Sequence, residues 1–370
     1  MKKKVRLVIE RLLANLWFQK IWAIYVSHSR KYSTDRYQQP YILSHRKDKK
    51  KYYVLRYVAP SYGIFAVARN ALLECEWVEE NGMIPIVDFE WEFFYEEKGV
   101  GHDNMWEYIF ESTIPAQKIN REKNVFVGGI SLRNTNKKLE EKLMMTKKVV
   151  SFADDDWKNY YKILNLYSNK WWKLNNDIEK RYKEKYSLLF KPNMKILGVS
   201  LREEFSMGKD EIRGTTLGKH PHQPSLDEMI AIIKEYKEKW QCSHIFLTTY
   251  MQDSIDRIKK EFGDCVIYTD RRRVEFNKWK QSRRLFENHM KDEKSMGLYE
   301  WMNSEDEYAR IINTYDKETM VEYVEEVYGL ALCDCLLAGK SGGALAACIW
   351  NGGRYENIEI LPDSNNSKKY

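Results

Sequence analysis

An arginine follows an apolar, strand-like run in the second half of the chain. Lys195–Leu201 (KILGVSL) predicts a buried strand, and Arg202 comes directly after it. Ligands bind beyond the carboxyl ends of strands in open α/β sheets, and a guanidinium can hold a phosphate through two parallel hydrogen bonds. Arg202 is therefore a candidate phosphate ligand. An ion pair with the neighbouring Glu203 is an equally open alternative.

A turn of small residues offers a second candidate site for an anion. Cys335–Ala338 predicts a strand, Gly339–Gly343 a turn and Ala344–Trp350 a helix. Glycines let the backbone approach a ligand, and the first N–H groups of a helix carry partial positive charge. A diphosphate would fit at this turn, with Ser341 adding a hydroxyl donor. The spacing is not that of a Walker A loop, and a turn kept small only for packing is the alternative.

Two other loops are weaker candidates. Gly218–Pro224 (GKHPHQP) holds His220 and His222 between prolines, but no third ligand stands at a spacing that suits a metal. We expect a structural role or a substrate contact there, and no metal site. Ala59–Gly63 follows the first predicted strand and would face the ligand cleft of a doubly wound fold.

Composition limits the classes of protein to consider. The 370 residues suit two domains at about 150 residues each, and a hydrophobic fraction of 43% excludes a disordered chain. No run of about 18 uncharged apolar residues occurs, so we expect no transmembrane span. The 6 cysteines form no CxxC pair, which indicates buried thiols in a reducing compartment.

Charge leaves two alternatives open. The net charge is +7, with basic runs at His45–Lys51, Arg271–Arg273 and Lys278–Arg284. Because acidic residues are interspersed and no recognition module is present, we expect solvated faces and no nucleic-acid partner. Glu10 and Lys20 interrupt the apolar N-terminal stretch, so we expect no secretion signal. That stretch is either a basic helix lying on a membrane surface or an ordinary helix with a solvated basic side, and we favour the second.

The order of predicted elements is that of an α/β protein. Lys51–Val58, Ile64–Glu80 and Ile84–Asp88 predict a strand–helix–strand unit of the kind that forms parallel sheets. Asp154–Lys185 predicts one long polar helix, and Ser225–Glu228 a capping box that opens another. Strands and helices alternate through the second half. We therefore predict two Rossmann-like, doubly wound domains facing a cleft, residues 1–190 and 191–370, with the boundary at Phe190–Met194.

Taken in order, five segments resemble the GDP-fucose-dependent glycosyltransferases of the GT-B type. That superfamily contains α-1,6-fucosyltransferases, nodulation fucosyltransferases and protein O-fucosyltransferases. The chain is more similar still to bacterial glycosyltransferases of surface-polysaccharide clusters. The five segments are Tyr62–Asp88 (glycine loop, helix and IPVVD-like strand), Gly198–Arg202 (HxR-type strand end), Gly218–Glu228 (GHPxQPSxEE-like), Ile245–Asp253 (FLATDD-like) and Glu326–Gly353 (closing helix, strand and Ser–Gly loop).

The resemblance implies donor-binding roles for the residues that match these motifs. Arg202 matches the arginine that holds the donor β-phosphate and stabilises the leaving diphosphate. Ser341 and Gly342 match the loop that binds the diphosphate. Glu326 matches a carboxylate directed at the guanine or ribose, and Asp253 ends a turn that lines the nucleotide pocket. The implied donor-binding set is Arg202, Ser341, Gly342, Gly343, Glu326, Asp253 and His220.

The implied activity is inverting transfer of fucose, or of a sugar from another nucleotide sugar, to a hydroxyl of a bacterial surface glycan. It would need no metal and no other cofactor, and it would take place in the cytoplasm or at the inner membrane face, on a free or lipid-linked acceptor. A carboxylate would take the proton of the attacking hydroxyl. We favour Asp210 for this base, followed by Glu204, with Arg202 completing the catalytic set. Ser61, Tyr62 and Gly63 would contact the acceptor.

Departures from the family pattern favour an alternative function. Ser200 replaces the usual histidine before the arginine, and Glu203 replaces a second arginine. The alternative is a catalytically inactive module that binds a nucleotide sugar or a glycan.

Overall fold

The computed structural model describes residues 42–43, 52–58, 64–90, 104–113, 125–128, 157–201, 204–205, 212–213, 225–275, 277, 317–339 and 341–361. The chain divides into two compact units. The first unit contains Met1–Lys148 and Leu166–Asn176, and the second contains Val149–Asn165 and Asp177–Tyr370. Each unit has its own β-sheet, so the predicted α/β class with two Rossmann-like halves is confirmed. The cleft expected between them stays a prediction.

The sheet of the first unit is built around strand β2 (Tyr52–Val58). Strands β3 (Ile84–Glu90) and β4 (Val125–Gly128) lie parallel to β2 on either side, and β1 (Ile42–Leu43) pairs antiparallel with β4. Helix α1 (Ile64–Glu80) connects β2 to β3, which confirms the predicted strand–helix–strand unit. A parallel pair needs such a crossover, because a short turn cannot return the chain to the same end of the sheet.

Asn104 occupies the outer side of β3, the last strand of this sheet among the described residues. Its Oδ1 accepts a hydrogen bond from the Phe89 backbone N–H at 2.9 Å, and its Nδ2 donates to the Val87 carbonyl at 2.8 Å. The same Oδ1 accepts from the Trp106 N–H at 3.1 Å, capping the 3₁₀ turn Met105–Tyr108. An amide side chain has the donor and the acceptor of a peptide group, so Asn104 takes the place of a neighbouring strand here.

The second unit is a five-stranded parallel sheet with helices along it. Its strands are β5 (Ile196–Ser200), β8 (His244–Thr248), β9 (Val266–Ile267), β10 (Cys335–Gly339) and β11 (Asn357–Leu361). The order across the sheet is β11–β10–β5–β8–β9. A separate two-stranded hairpin joins β6 (Glu204–Phe205) to β7 (Ile212–Arg213). Helix α2 (Trp157–Trp171) contributes its residues up to Asn165 to this unit and the rest to the first unit. The other described helices of this half are α3 (Asn176–Leu189), α4 (Leu226–Lys239), α5 (Gln252–Phe262), α6 (Lys317–Leu332) and α7 (Gly342–Asn351).

The core of the second unit lies between this sheet and its helices. Leu197, Val199, Ile245, Leu247 and Leu337 come from the central strands and are all fully buried. Strands that are covered on both faces read as nearly continuous apolar runs, which is why the sequence predicted β5 and β10.

Helix α4 begins at the predicted capping box. The Ser225 Oγ accepts from the Glu228 N–H at 3.3 Å, and the Glu228 carboxylate accepts from the Ser225 N–H at 2.7 Å. Two N–H groups that lack helical partners are thereby satisfied.

The prediction of one long helix over Asp154–Lys185 is wrong, because the chain forms α2 and α3 with a break at Trp172–Asn175. Within the break, the Trp172 indole is buried and its Nε1 donates to the Ala68 carbonyl at 3.1 Å. Leu174 forms a β-bridge to Phe110. These tertiary contacts outweigh the helical periodicity of the segment.

Helix α3 packs with the second unit. Within that unit, the Tyr182 hydroxyl donates to the Val321 carbonyl at 2.6 Å, and the Tyr186 hydroxyl donates to the Glu325 carbonyl at 2.8 Å. Gly329 of α6 leaves room for the Tyr186 ring, which would collide with a Cβ at that position. The division into domains at 190/191 stays a prediction, and the packing of α3 argues for an earlier division.

The cysteines agree with the expectation that their thiols are buried. Cys265 is partly buried and the other cysteines are buried as free thiols. In the part of the chain that the structure describes, no helix has the length and apolar character needed to cross a bilayer.

Candidate functional site

The strand order places the candidate site at the edge of the second sheet that the carboxyl-terminal ends of its strands form. The chain builds outward from β5 through β8 to β9, and then returns to the other side of β5 with β10 and β11. The order therefore reverses between β5 and β10, and open α/β sheets bind ligands at such a reversal, beyond the carboxyl ends of the strands. Ala338 of β10 is the register partner of Ser200 of β5. The segments that lead to Arg202 and to Ser341 thus leave adjacent strands at the same edge.

Ser341 opens helix α7 at this edge. It is the N-cap residue, with φ −141° and ψ 163°, and its Oγ accepts from the Ala344 N–H at 3.1 Å. Its carbonyl accepts the first helical bond, from the Leu345 N–H at 3.1 Å. The positive end of the α7 dipole consequently lies beside the strand reversal, where negative charge is favoured.

Gly343 has a packing role in addition to any contact with a ligand. A Cβ at this position would lie 2.6 Å from the Tyr323 hydroxyl and 3.2 Å from Val327 Cγ2, so the absence of a side chain lets α7 approach α6. The alternative of a turn kept small for packing therefore holds for Gly343.

The N-terminus of α5 is also at this edge, but backbone from the segment after β9 covers it. The Gln252 N–H donates to the Val274 carbonyl at 3.0 Å, and the Val274 N–H donates to the Tyr250 carbonyl at 2.9 Å. Asp253 lies in the first turn of α5 and is half-buried. Its predicted role in lining the nucleotide pocket stays a prediction.

Glu326 is the centre of a buried ionic cluster. Its Oε1 accepts from Arg273 Nη2 at 2.7 Å and from the Thr269 hydroxyl at 2.8 Å, and its Oε2 accepts from Arg271 Nη1 at 2.8 Å. The side chains of Glu326 and Arg273 are 1% and 3% exposed. Burial lowers the pKa of Arg273, while the charge of Glu326 opposes that change. Both carboxylate oxygens are engaged by the protein, so a role toward guanine or ribose stays a prediction.

The expectation that Arg271–Arg273 forms a solvated face is wrong for its first and third members. Arg271 is 10% exposed at its side chain, and its guanidinium lies 5.2 Å from the centroid of the Tyr323 ring. Arg273 donates from Nη1 to the carbonyls of Thr269 and Arg271 at 2.8 and 2.9 Å. The cluster therefore fixes the loop after β9 against α6.

Glu325 forms a second buried ionic contact on α6. Lys185 of α3 donates to Glu325 at 2.8 Å and to Asp270 at 2.7 Å. Burial lowers the pKa of Lys185, but the hydrogen bonds to Asp270 and Glu325 outweigh it and raise the pKa overall. Sequence reasoning missed both clusters. The available signal was the pair of adjacent glutamates between Val324 and Val327, in an apolar stretch of a predicted helix.

Several predicted site residues lie outside the described residues: Arg202, Asp210, His220, Ser61, Tyr62 and Gly63. Glu204 is placed in β6, where it pairs in register with Arg213 of β7. Asp210 falls in the connection between β6 and β7, so the two candidate bases belong to one hairpin in the sequence. Over the described ranges, no group of three or more His, Cys, Asp or Glu side chains is arranged to hold a metal ion.

Comparison with known proteins gives structural neighbours only, since no family model and no curated protein sequence matches the chain. NodZ α-1,6-fucosyltransferase, co-crystallised with GDP, aligns with a TM-score of 0.45 and 11% identity over 81% of this chain and 92% of its own. A mutant of Arabidopsis thaliana FUT1 in complex with GDP aligns with a TM-score of 0.44 and 8% identity over 97% and 79%. POFUT1 in complex with GDP aligns with a TM-score of 0.43 and 9% identity over 85% and 99%. At these scores and identities, we transfer no residue role from them.

Proposed function

We propose that this chain is a glycosyltransferase that uses a GDP-sugar, with GDP-fucose as the first candidate, and transfers the sugar to a hydroxyl of a glycan. One observation carries the proposal. At the strand reversal of the second sheet, the run Gly198–Leu201 that leads to Arg202 lies beside the strand that leads to the helix capped by Ser341. An arginine and a helix N-terminus at one edge are suited to a diphosphate, which is the leaving group of a nucleotide sugar.

The proposed reaction is a single displacement. The acceptor oxygen attacks the anomeric carbon, and a carboxylate, Asp210 or Glu204, takes its proton. The bond between the anomeric carbon and the β-phosphate oxygen breaks, and its electron pair leaves with GDP. Arg202 and the α7 dipole would stabilise the charge that develops on the diphosphate, so the step needs no metal. Attack opposite to the leaving group inverts the anomeric configuration.

Calorimetric titration with GDP and with GDP-fucose tests this proposal. We expect binding of both, and Arg202→Ala should lose at least tenfold in GDP affinity because it removes a charge-assisted bidentate contact. Arg257→Ala is the matched control, since Arg257 is exposed and pairs with Asp227 on the surface. If the folded chain binds neither nucleotide, the proposal is wrong.

Ser341→Asp separates the helix cap from the anion site. Aspartate caps a helix N-terminus about as well as serine, so the free energy of unfolding should change little. Its charge would nevertheless repel the diphosphate, and GDP binding should fall at least tenfold. If a stable Ser341→Asp variant binds GDP as tightly as the unaltered chain, the N-terminus of α7 is not part of the diphosphate site.

The alternative is an inactive nucleotide-sugar or glycan-binding module, favoured by Ser200 and Glu203. Both functions predict GDP binding. Release of GDP from GDP-fucose in the presence of a pool of glycan acceptors would separate them, because only a transferase turns the donor over.

For the partners and the location, the proposal is a cytoplasmic enzyme of bacterial surface-polysaccharide synthesis that acts on a glycan acceptor. The proposal includes, as the less favoured alternative, a contact between the basic N-terminal segment and the inner membrane face. Co-sedimentation with anionic phosphatidylserine vesicles, lost when that segment is deleted, would support the contact.

A further inference from the structure

The first unit contains a cavity of about 140 Å³ beside its edge strand β3. Buried side chains form the floor, among them Cys75 of α1, Val87 of β3 and Trp106, which are 1%, 6% and 2% exposed. Exposed side chains form the rim, among them Lys173 and Glu111. Because the floor is buried and the rim is exposed, the cavity opens to solvent at one side. Its volume is that of about five water molecules at ~30 Å³ each, so one side of a sugar ring can enter it while the rest of the ring stays at the open, solvent side.

The rim is held in place by backbone hydrogen bonds. Glu111 donates its N–H to the Lys173 carbonyl at 2.8 Å, and Asn175 donates its N–H to the Ile109 carbonyl at 2.9 Å. The Lys173 ammonium then donates to the Glu111 carboxylate at 2.8 Å across the same pair of segments. A site whose polar groups are fixed before binding loses less conformational entropy when a ligand arrives.

Two indoles line the cavity, and the Lys170 ammonium lies 4.8 Å from the centroid of one of them, the Trp171 ring. Trp106 is buried in the floor, and its ring centroid lies 4.5 Å from that of Phe110. Trp171 is half-buried at the end of α2, and its Nε1 donates to the buried carboxylate of Glu76, which fixes the orientation of the ring. Flat rings beside hydrogen-bonding groups suit a ligand with an apolar face and a polar edge.

The charges that line the rim are balanced. Lys173 pairs with Glu111, and Lys170 pairs with Glu79 of α1. An anion or a cation would have to break one of these pairs, whereas the hydroxyls of a neutral ligand can donate to the carboxylates and accept from the ammonium groups. Ser112 and Thr113 add hydroxyl groups at the same rim.

We propose that this cavity binds one uncharged pyranose ring, with a C–H face against Trp171 and its hydroxyls on the Lys173–Glu111 pair. That the ring belongs to the acceptor glycan of the transferase rests on the proposed function. The chemistry of the cavity itself does not depend on it.

Titration of the full chain with methyl β-D-galactopyranoside, followed by tryptophan fluorescence and saturation-transfer NMR, tests the cavity. We expect a Kd on the order of millimolar, the range for a ligand of this size. A methyl glucuronide and a methyl glucosaminide should bind several-fold more weakly, because each carries a charge. If none of the three glycosides binds at concentrations up to a hundredfold the expected Kd, the proposal is wrong. It is also wrong if either charged glycoside binds more tightly than the neutral one.

Trp171→Ala should weaken binding of the neutral glycoside about tenfold by removing a stacking wall. Trp350→Ala is the matched control, since Trp350 is a half-buried tryptophan of the second unit. Equal loss in the two variants would overturn the proposal.

Lys173→Gln keeps the proposal testable if Trp171→Ala fails to fold. Lys173 and Glu111 are 56% and 38% exposed at their side chains, so the substitution should be tolerated. It leaves Glu111 unpaired, and the methyl glucosaminide should then bind better than the neutral glycoside. If the Lys173→Gln variant still binds the neutral glycoside more tightly than the methyl glucosaminide, the proposed sugar site is wrong.

These results are separable from those for the proposed function. GDP affinity should be the same in Trp171→Ala, Lys173→Gln and the unaltered chain. If the chain binds the glycoside but not GDP, the sugar site in the cavity is supported and the proposed transferase function is wrong. If it binds GDP but not the glycoside, the transferase function is supported and the sugar site is wrong.

Discussion

Glu326 and the two arginines that it binds form a buried ionic cluster, and removal of Glu326 would leave two buried positive charges without their counter-charge. Burying such a group costs more than its attraction returns unless every partner is present. The cluster joins residues 269–273 to position 326, far apart in the sequence. The adjacent glutamates in an apolar stretch were the one local signal for it, and the basic run that Glu326 binds was instead expected to face solvent.

Glu326→Gln should lower the free energy of unfolding by about 3 kcal/mol, because Arg271 and Arg273 would remain buried without a counter-charge. Glu322→Gln on the same helix is the control, since Glu322 is half-buried and accepts from the Arg272 N–H at 3.3 Å. Urea denaturation of both variants measures the difference. A loss no greater than that of the control would show that Glu326 is not the centre of the cluster.

Glu76 gives the first unit a pH dependence of known sign. Burial is the largest cause that raises the pKa of Glu76 above its ordinary value of 4.5, although the hydrogen bond from Trp171 opposes it. A carboxyl with a raised folded pKa binds its proton more tightly when folded, so its contribution to stability is full below the unfolded pKa and is lost as pH rises through the folded pKa.

We therefore expect the unaltered chain to gain stability relative to Glu76→Gln as the pH falls from 7 toward 4.5. Urea denaturation of the two proteins at both pH values measures this gain. Trp171→Phe removes the hydrogen bond that favours the charged form, so the same gain should be larger in that background. A difference between the two proteins that does not change with pH would contradict the assignment.

At the scale of elements, helices α3 and α6 meet where Gly329 admits the Tyr186 ring. Gly329→Ala would place a methyl group inside that ring's position, and overpacking of this kind costs about 3 kcal/mol at a buried site. Leu332→Ala on the same helix is the control, because Leu332 is 43% exposed. Chemical denaturation compares them, and equal stabilities would mean that the two helices do not pack this closely.

The elements also show how far local sequence determines this fold. Helix α1 begins and ends where its apolar spacing predicted, and α5 ends before Gly263, whose φ of 67° suits glycine. Strand β9 is only two residues long, and Thr269, two positions after its end, donates its hydroxyl to Glu326. The break between α2 and α3 was missed, since Trp172 finds its hydrogen-bond partner a hundred residues away. Local periodicity predicts elements, and distant polar partners move their ends.

The sequence predicted the place of the candidate site in the fold, but only part of what its residues do. Parallel strands indicated where a ligand would bind, and the small residues at 339–343 indicated the second strand of the reversal. The packing role of Gly343 was not separable from a binding role, since both need a small residue there.

At the scale of the whole molecule, ligand binding should raise the free energy of unfolding. A ligand that binds only the folded chain raises its free energy of unfolding by about 2.7 kcal/mol at a hundredfold excess over Kd. GDP at that concentration should raise the thermal midpoint of the unaltered chain more than that of Arg202→Ala, because a tenfold weaker affinity cuts the stabilisation to about 1.4 kcal/mol. Scanning calorimetry measures both, and an equal rise in the variant would mean that GDP binds elsewhere.

Asn104 has a consequence for how copies of this protein behave in a crowded solution. The terminal strand of a sheet displays unused peptide groups that can recruit a strand from another molecule, which is a common start of aggregation. By bonding to Val87 and Phe89 through its own amide, Asn104 leaves fewer of these groups for a second chain to use. We therefore expect that loss of this side chain would favour self-association of the protein at high concentration.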